Sequence, residues 1–286
     1  MDHKCLLAAC LIMSVALLSG QSQVREAAAS VPGARLWYSD SGGSGTPVVF
    51  LHAATGSSRV WEYQIRALTA AGYRFIAYDR RGWGRTVIDP SGPQPGTAAD
   101  DLEALMVYLK IDRFHLVGTA AGGFTALDYA LSYPQRLRSL VIACTIGGVT
   151  DAAFVELGRK LRPSPQFDAL PPHLRELGPA YRAVDPAGVE RWLELERSSR
   201  PPEARAEAQP LKNRLTLSLL EKIDAPALLI SGGADMFAPP AVMQQFADRI
   251  KGSKLIAIPD AGHSAYWETP EQFNRAILRF LRQHKK

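Results

Sequence analysis

Three short stretches carry side chains placed where chemistry could take place. The first is Gly118-Thr119-Ala120-Ala121-Gly122-Gly123. It follows the apolar run Phe114-His115-Leu116-Val117 and precedes a helical pattern over 124–133. A strand, a sharp glycine turn and a helix make a nucleophile elbow, G-x-S-x-G, whose middle residue sits at the tip over the carboxyl end of a sheet. Here that residue is Ala120, which has no nucleophile. The second stretch, Ile230-Ser231-Gly232-Gly233-Ala234-Asp235, ends an apolar run and places Asp235 to orient a histidine. The third, Ile258-Pro259-Asp260-Ala261-Gly262-His263, ends the last apolar run and places His263 as a base. An aspartate after a strand is more often a turn residue, and a lone histidine is more often structural. All three in the order elbow, acid, histidine form a base-and-orienter pair facing a site without its serine.

The elements that must position these residues alternate. Leu36-Trp37-Tyr38 and Val48-Val49-Phe50-Leu51 flank a Gly/Ser turn and read as a hairpin. A helix over 60–71 puts Trp61, Ile65 and Leu68 on one face, and Gly72 stops it. Phe75-Ile76-Ala77-Tyr78 is the next strand. Thr97 caps a helix with the inner stripe Leu102, Leu105, Met106 and Leu109. Strands at 114–117 and 140–144 bracket the elbow and its helix. Near-continuous apolar strands separated by helices predict an α/β fold, a mostly parallel sheet covered on both faces.

Alternation stops between 147 and 224. That segment is rich in Pro, Arg, Glu and Leu, contains no strand pattern, and reads as an inserted helical lid, with Arg200-Pro201-Pro202-Glu203 as an exposed loop. It resumes at Ala227-Leu228-Leu229-Ile230, with a helix over 239–250 and the strand Leu255-Ile256-Ala257-Ile258. A capping box, Thr269-Pro270-Glu271-Gln272, opens the last helix, whose inner stripe is Phe273, Ile277, Phe280 and Leu281.

The N-terminus differs in kind. Lys4 precedes an apolar run over 5–18, and polar residues follow. This reads as a secretory signal peptide over 1–29, with Ala27-Ala28-Ala29 as an A-x-A cleavage site and Gly20-Gln21-Ser22 as a weaker one. The run is shorter than the roughly 20 residues of a spanning helix; an uncleaved N-terminal anchor is the alternative, and the only membrane association expected. The expected location is secreted or periplasmic. The core then comprises 30–146 and 225–286, with the lid at 147–224. Cys5 and Cys10 fall in the leader, so Cys144 alone remains and no internal disulfide is expected. Cys144 ends an apolar run and reads as a buried small hydrophobe.

The chain has 286 residues, 47% hydrophobic and 21% charged, with a formal net charge of +5. Its basic residues are scattered without interleaved aromatics, so the composition argues for a solvated surface and against nucleic-acid binding. His52, His115, His173 and His263 lack metal-ligand spacing, and the glycine turn does not fit G-x-G-x-x-G. No metal and no cofactor are expected. The expected partner is a small-molecule substrate or ligand.

With these residues in place, the chain over 34–283 resembles the α/β-hydrolase family, in particular its small lidded esterases, enol-lactonases, carbon–carbon bond hydrolases and haloperoxidase-like members. The stretches that match are Leu51-His52-Ala53-Ala54, Tyr78-Asp79-Arg80-Arg81-Gly82-Trp83-Gly84-Arg85, the elbow, Gly233-Ala234-Asp235 and Gly262-His263-Ser264. The resemblance implies an oxyanion hole built from the backbone N–H groups of Ala121 and of Ala53 or Ala54. Two positions depart from the family pattern. Ala53 stands where glycine normally follows the histidine, and Ala120 stands where the serine does.

Three readings of Ala120 follow. The serine was replaced in an esterase, which typically removes about four to six orders of magnitude of rate. Or His263, held by Asp235, acts directly on water or on a small ester, lactone or ketone. Or the protein is a non-catalytic member that binds a small ligand. Thr119, Thr145 and Ser57 are weak substitutes for the nucleophile, Thr119 because a residue before the elbow tip points away from the pocket.

Overall fold

The computed structural model describes residues 24–285 apart from 95, 163 and 202–207. The expected leader run over 5–18, and Pro202 and Glu203 of the expected loop, lie outside the described residues. Nine strands form one sheet: β1 (Arg25–Val31), β2 (Ala34–Asp40), β3 (Pro47–Leu51), β4 (Arg74–Tyr78), β5 (Val87–Ile88), β6 (Phe114–Thr119), β7 (Leu137–Ala143), β8 (Ala227–Gly232) and β9 (Lys254–Ile258). Their order is β1-β2-β4-β3-β6-β7-β8-β9, with β5 beside β2. From β4 to β9 every neighbour pair is parallel, while β2 runs antiparallel to β1, β4 and β5. The expected mostly parallel α/β sheet is therefore present.

The helices among the described residues are α1 (Glu62–Ala70), α2 (Ala98–Tyr108), α3 (Ala121–Ser132), α4 (Ala152–Leu161), α5 (Pro172–Glu176), α6 (Pro179–Val184), α7 (Pro186–Arg197), α8 (Leu217–Leu220), α9 (Pro240–Ala247), α10 (Ala265–Glu268) and α11 (Pro270–Gln283). Strand alternation sorts their packing. Val49, Leu51, Leu116 and Leu229 face a core shared with α2, α3 and α9. Val48, Phe50, Val117 and Ile230 face the opposite core, filled by Leu68 of α1 and Phe273, Ile277, Phe280 and Leu281 of α11. Two apolar faces need two helical layers, because each strand side chain alternates between them.

Some local expectations change. The stretch 34–40 and β3 do not form a hairpin; β4 lies between β2 and β3. The hairpin is instead β1 with β2, turning at Gly33, whose φ of +73° suits glycine. Among the described residues the first strand begins at Arg25, ahead of residue 30: Arg25 to Ala29 pair with Asp40 to Leu36, and Ala29 is fully buried. Thr97 caps α2 as expected, accepting from the Asp100 N–H at 3.1 Å. Thr269 does not close a capping box. Its hydroxyl donates instead to the Ala265 carbonyl at 3.0 Å, because α10 ends where α11 begins. Between 147 and 224 the described residues are helices and connections, with no strand.

The arginine-rich motif after β4 is a brace. Arg81 makes a bidentate ion pair with Asp101 of α2 at 2.7 Å through Nε and Nη2, and also donates to the Gly33 carbonyl. Asp79 accepts from the Ser58 and Arg85 N–H groups at 2.7 and 2.8 Å. Asp128 of α3 accepts from the Lys212 and Asn213 N–H groups, which ties the end of the helical insertion to the elbow helix.

Candidate active site

The elbow forms at the end of β6. Ala120 adopts φ 48° and ψ −119°, a conformation an alanine rarely takes. Such strain, of about 1–3 kcal/mol, persists only where the surroundings enforce it. Here the Ala120 N–H donates to the Ala143 carbonyl at 3.0 Å. The Ala120 carbonyl accepts from the Gly123 N–H at 2.9 Å and from the Thr145 hydroxyl at 2.6 Å. Gly122 is required for contact: a Cβ there would lie 2.2 Å from the Leu51 carbonyl oxygen.

Asp235 follows β8 and is buried. Its Oδ1 accepts from the Phe237 and Ala238 N–H groups at 2.8 and 3.0 Å. Its Oδ2 lies 2.9 Å from His263 Nδ1. That bond makes Nδ1 the protonated nitrogen toward Asp235 and leaves Nε2 for the cavity. Phe237 packs on the imidazole, with ring centres 4.6 Å apart. Burial lowers the basicity of His263, but Asp235, Glu176 and Glu268 outweigh it and raise its pKa to about 9.

The loop carrying His263 is clasped to the helical insertion. The His263 and Ser264 N–H groups donate to the Glu176 carbonyl at 2.8 and 3.1 Å. Glu268 of α10 accepts from the Gly178, Gly262 and Ser264 N–H groups at 2.7, 2.9 and 3.1 Å. One carboxylate thus holds both sides of the clasp.

Backbone donors are aimed by their own carbonyls. In a trans peptide the N–H points opposite the preceding C=O. His52 is buried, and burial beside Arg80 keeps it neutral, its pKa well below the ordinary value. Its Nδ1 donates to the Ala53 carbonyl at 2.7 Å and its Nε2 accepts from the Arg80 N–H at 3.2 Å. The Ala54 N–H therefore points away from His52. Trp83 fixes the next carbonyl, that of Ala54, at 2.8 Å. In the same way the Gly123 and Thr145 bonds to the Ala120 carbonyl turn the Ala121 N–H away from them. Ala121 is the first residue of α3, so that N–H has no acceptor within the helix.

These pieces meet at one cavity of about 200 Å³ lined by Ala53, Ala54, Ala120, Ala121, Glu176 and His263, with Phe124, Ile146, Arg162 and Phe237 around them. All the residues expected for the site are brought together there, Asp235 standing behind His263. A second, mostly apolar groove of about 310 Å³ adjoins it, sharing Ile146, Arg162 and Phe237 and extending along Val149 and Phe154. A larger cleft of about 700 Å³ beside β9 and α11 shares no residue with this site.

Thr119 is buried and does not line the cavity. Ser57 caps a short turn. Cys144 is fully buried, and burial raises its thiol well above the ordinary range, as suits a small hydrophobe. Among the described residues no group of three or more His, Cys, Asp or Glu side chains is placed to hold a metal ion, and no helix is long and apolar enough to cross a membrane. The sequence reading missed Glu176, Glu268 and the positioning role of Thr145. Only Thr145 had a signal, its place two residues past the end of β7, the strand beside the elbow.

The profile of the Alpha/beta hydrolase family matches residues 48–276. Over 257 residues the chain is 31% identical to a protein named as a non-heme bromoperoxidase in Mycobacterium tuberculosis, covering 85% of this chain and 96% of that one. It is 31% identical over 267 residues to a 2-hydroxy-6-oxononadienedioate/2-hydroxy-6-oxononatrienedioate hydrolase of Burkholderia vietnamiensis, covering 87% and 91%. Among solved structures, a thermophilic esterase from Thermogutta terrifontis superposes with a TM-score of 0.73 at 28% identity, over 92% of this chain and 99% of that one.

Proposed function

The chain belongs to the α/β-hydrolase family, and we propose that it hydrolyses a small ester, lactone or ketone without a covalent intermediate, with His263 as the base. The observation that carries this reading is the buried pair of His263 and Asp235, 2.9 Å apart, at a cavity that also holds Ala54 and Ala121. The relatives named above as a 2-hydroxy-6-oxononadienedioate/2-hydroxy-6-oxononatrienedioate hydrolase and a thermophilic esterase support the substrate class, and the apolar groove favours an apolar acyl chain.

An ester would be cleaved by addition of water followed by collapse. A water molecule over the Ala120 methyl gives its proton to His263 Nε2 while its oxygen bonds to the carbonyl carbon. The carbonyl electron pair moves onto oxygen, and the Ala54 and Ala121 N–H groups stabilise that oxyanion. Collapse re-forms the carbonyl and breaks the bond to the alkoxide, which takes the proton from His263. Asp235 holds the imidazole in the right tautomer and stabilises the imidazolium throughout. One feature favours Ala54 over Ala53 as the donor: His52 holds the Ala53 carbonyl, which aims the Ala54 N–H.

The second reading, a ligand-binding protein on this scaffold, keeps the cavity and needs no base. A buried His–Asp pair is a costly arrangement for a pocket that only binds, which favours hydrolysis. The test is turnover of short activated esters and lactones by the parent and by His263→Ala. Hydrolysis that disappears with His263 supports the proposal. A parent that binds such compounds without turning them over would favour the binding reading.

A further inference from the structure

Glu176 is the last residue of α5, in the helical insertion, yet it is only 6% exposed and lines the cavity beside Ala120, Ala121 and His263. Its main chain is fixed by the two N–H groups it accepts from His263 and Ser264. Its side chain is different: the buried Oε2 has no hydrogen-bond partner among the described residues. The Thr55 hydroxyl on the same cavity wall and the Nε–H of Arg175, next to Glu176 in sequence, are buried without partners too, so neither is bonded to Glu176. His263 Nδ1 is held by Asp235, and Arg162 at the cavity wall pairs with Asp168. A buried carboxyl oxygen without a donor is costly, so it marks a place where something else supplies one.

We infer that Glu176 is a specificity-determining residue that accepts an N–H or O–H donor from a ligand seated over Ala120, so that the cavity takes neutral amide- or hydroxyl-bearing acyl compounds and turns carboxylates away. A ligand carboxylate would meet the Glu176 carboxylate, an unfavourable like-charge contact in a buried site, while the charge of protonated His263 is taken up by Asp235. Burial also raises the Glu176 pKa, as does Asp235, against the opposing pull of His263 and Arg175. The apolar groove beyond Ile146 and Phe237 gives such a ligand room for a short alkyl chain. The inference rests on the cavity being the ligand site, as in the reading above, but not on turnover.

The test compares three probes with one alkyl chain: hexanamide, methyl hexanoate and hexanoate. Their binding to the parent, Glu176→Gln and Glu176→Leu is followed by NMR titration, with circular dichroism to verify folding. The parent should bind hexanamide about tenfold more tightly than methyl hexanoate, the effect of one good hydrogen bond to a charged or polar partner, and hexanoate most weakly. Glu176→Gln keeps an acceptor and should keep the amide preference, whereas Glu176→Leu should lose it and should no longer reject hexanoate. Equal affinities in the parent, no measurable binding of hexanamide, or a preference unchanged in a folded Glu176→Leu protein each overturn the inference. Ester hydrolysis in the same samples reads the hydrolase proposal separately: binding preference without turnover leaves Glu176 standing and removes catalysis.

Discussion

The Thr145 hydroxyl donates a 2.6 Å hydrogen bond to the carbonyl of Ala120, at the tip of the elbow. Thr145 Oγ1 in turn accepts the Gly147 N–H at 3.0 Å. One side chain therefore holds the elbow peptide in its strained conformation and sets the direction of the Ala121 N–H. Thr145→Val keeps the shape and removes both bonds, leaving a buried carbonyl with one donor fewer. The expected loss is about 1–3 kcal/mol of stability in urea denaturation. Thr145→Ser should retain most of it. A valine variant as stable as the parent would mean that the elbow does not depend on this hydroxyl.

The pH dependence of activity follows from the carboxyl groups around His263. Burial alone would lower its pKa, but Asp235, Glu176 and Glu268 together raise it to about 9. Only neutral imidazole accepts a proton, so hydrolysis should climb with pH, with its inflection near 9, and level off above it. Asp235→Asn removes the partner that raises the pKa and orients the ring, and should shift the inflection down while cutting the rate by about 10⁴. The stability sign is the opposite. A His263 pKa above its ordinary 6.5 contributes stability below about pH 6.5, and that contribution is lost as pH rises through 9. His263→Gln lacks this term, so its stability relative to the parent should improve across that interval. A rate that peaks near pH 6 would place the base elsewhere.

The clasp gives a third expectation. Glu268 holds Gly178 on one side and Gly262 and Ser264 on the other. Glu268→Ala leaves the Gly178 and Gly262 N–H groups without an acceptor and the Ser264 N–H with the Glu176 carbonyl alone, and should cost about 3 kcal/mol. Amide hydrogen exchange should rise at Gly178, Gly262 and Ser264 together, while the sheet interior stays protected. Exchange that rises at the Gly178 side alone would mean that the two sides are held independently.

The chain's own chemistry explains what could be read in advance. Ala120, Asp235 and His263 were legible because each ends an apolar run, and parallel strands put their carboxyl ends on one edge. The helix stripe Phe273, Ile277, Phe280 and Leu281 was legible because its period is helical. The pairing of β2 was not: alternation marks a strand but says nothing of its neighbour, and β4 takes the place beside it after α1 crosses over. Glu176 was hidden for another reason. A glutamate in a five-residue helix among charged residues reads as a solvated face, and only tertiary packing shows it turned into the cavity. Thr145 looked like a weak nucleophile candidate, and it is the hydroxyl that positions the elbow.

The structure also narrows the expectation for the leader. Lys4 and the apolar run over 5–18 motivate export. Cleavage at Ala27-Ala28-Ala29 would remove most of β1, which pairs with β2 along its whole length. Protein from the native host is therefore expected to begin between about residues 21 and 25, read by mass spectrometry of the intact chain. An N-terminus at Ser30 on folded protein would show that β1 is dispensable, and an intact Met1 on cytoplasmic protein would remove the export reading.

Ala120→Ser tests the site as a whole. The elbow conformation, the Ala121 N–H at the head of α3 and the His263–Asp235 pair stand without the hydroxyl. Serine adds one oxygen to an alanine that already adopts φ 48°, so the added backbone strain should be small. In the variant, His263 Nε2 should take the Oγ proton as Oγ attacks the carbonyl carbon; the ester C–O bond then breaks, the alkoxide leaves with that proton, and water hydrolyses the acyl-enzyme with His263 again as base. The variant is expected to hydrolyse small activated esters at least about a hundredfold faster than the parent, well within the cost of losing a triad serine. It should also react with a serine-directed phosphonate, which the parent should resist. Labelling of the parent would mean that another hydroxyl is the nucleophile, and Thr119 would be examined first. A folded variant that neither labels nor turns over would mean that Oγ and Nε2 do not meet. The loop of Ala53, where a methyl replaces the glycine hydrogen, would then be the place to look for a reshaped oxyanion hole, with Ala53→Gly in the Ala120→Ser background as the rescue.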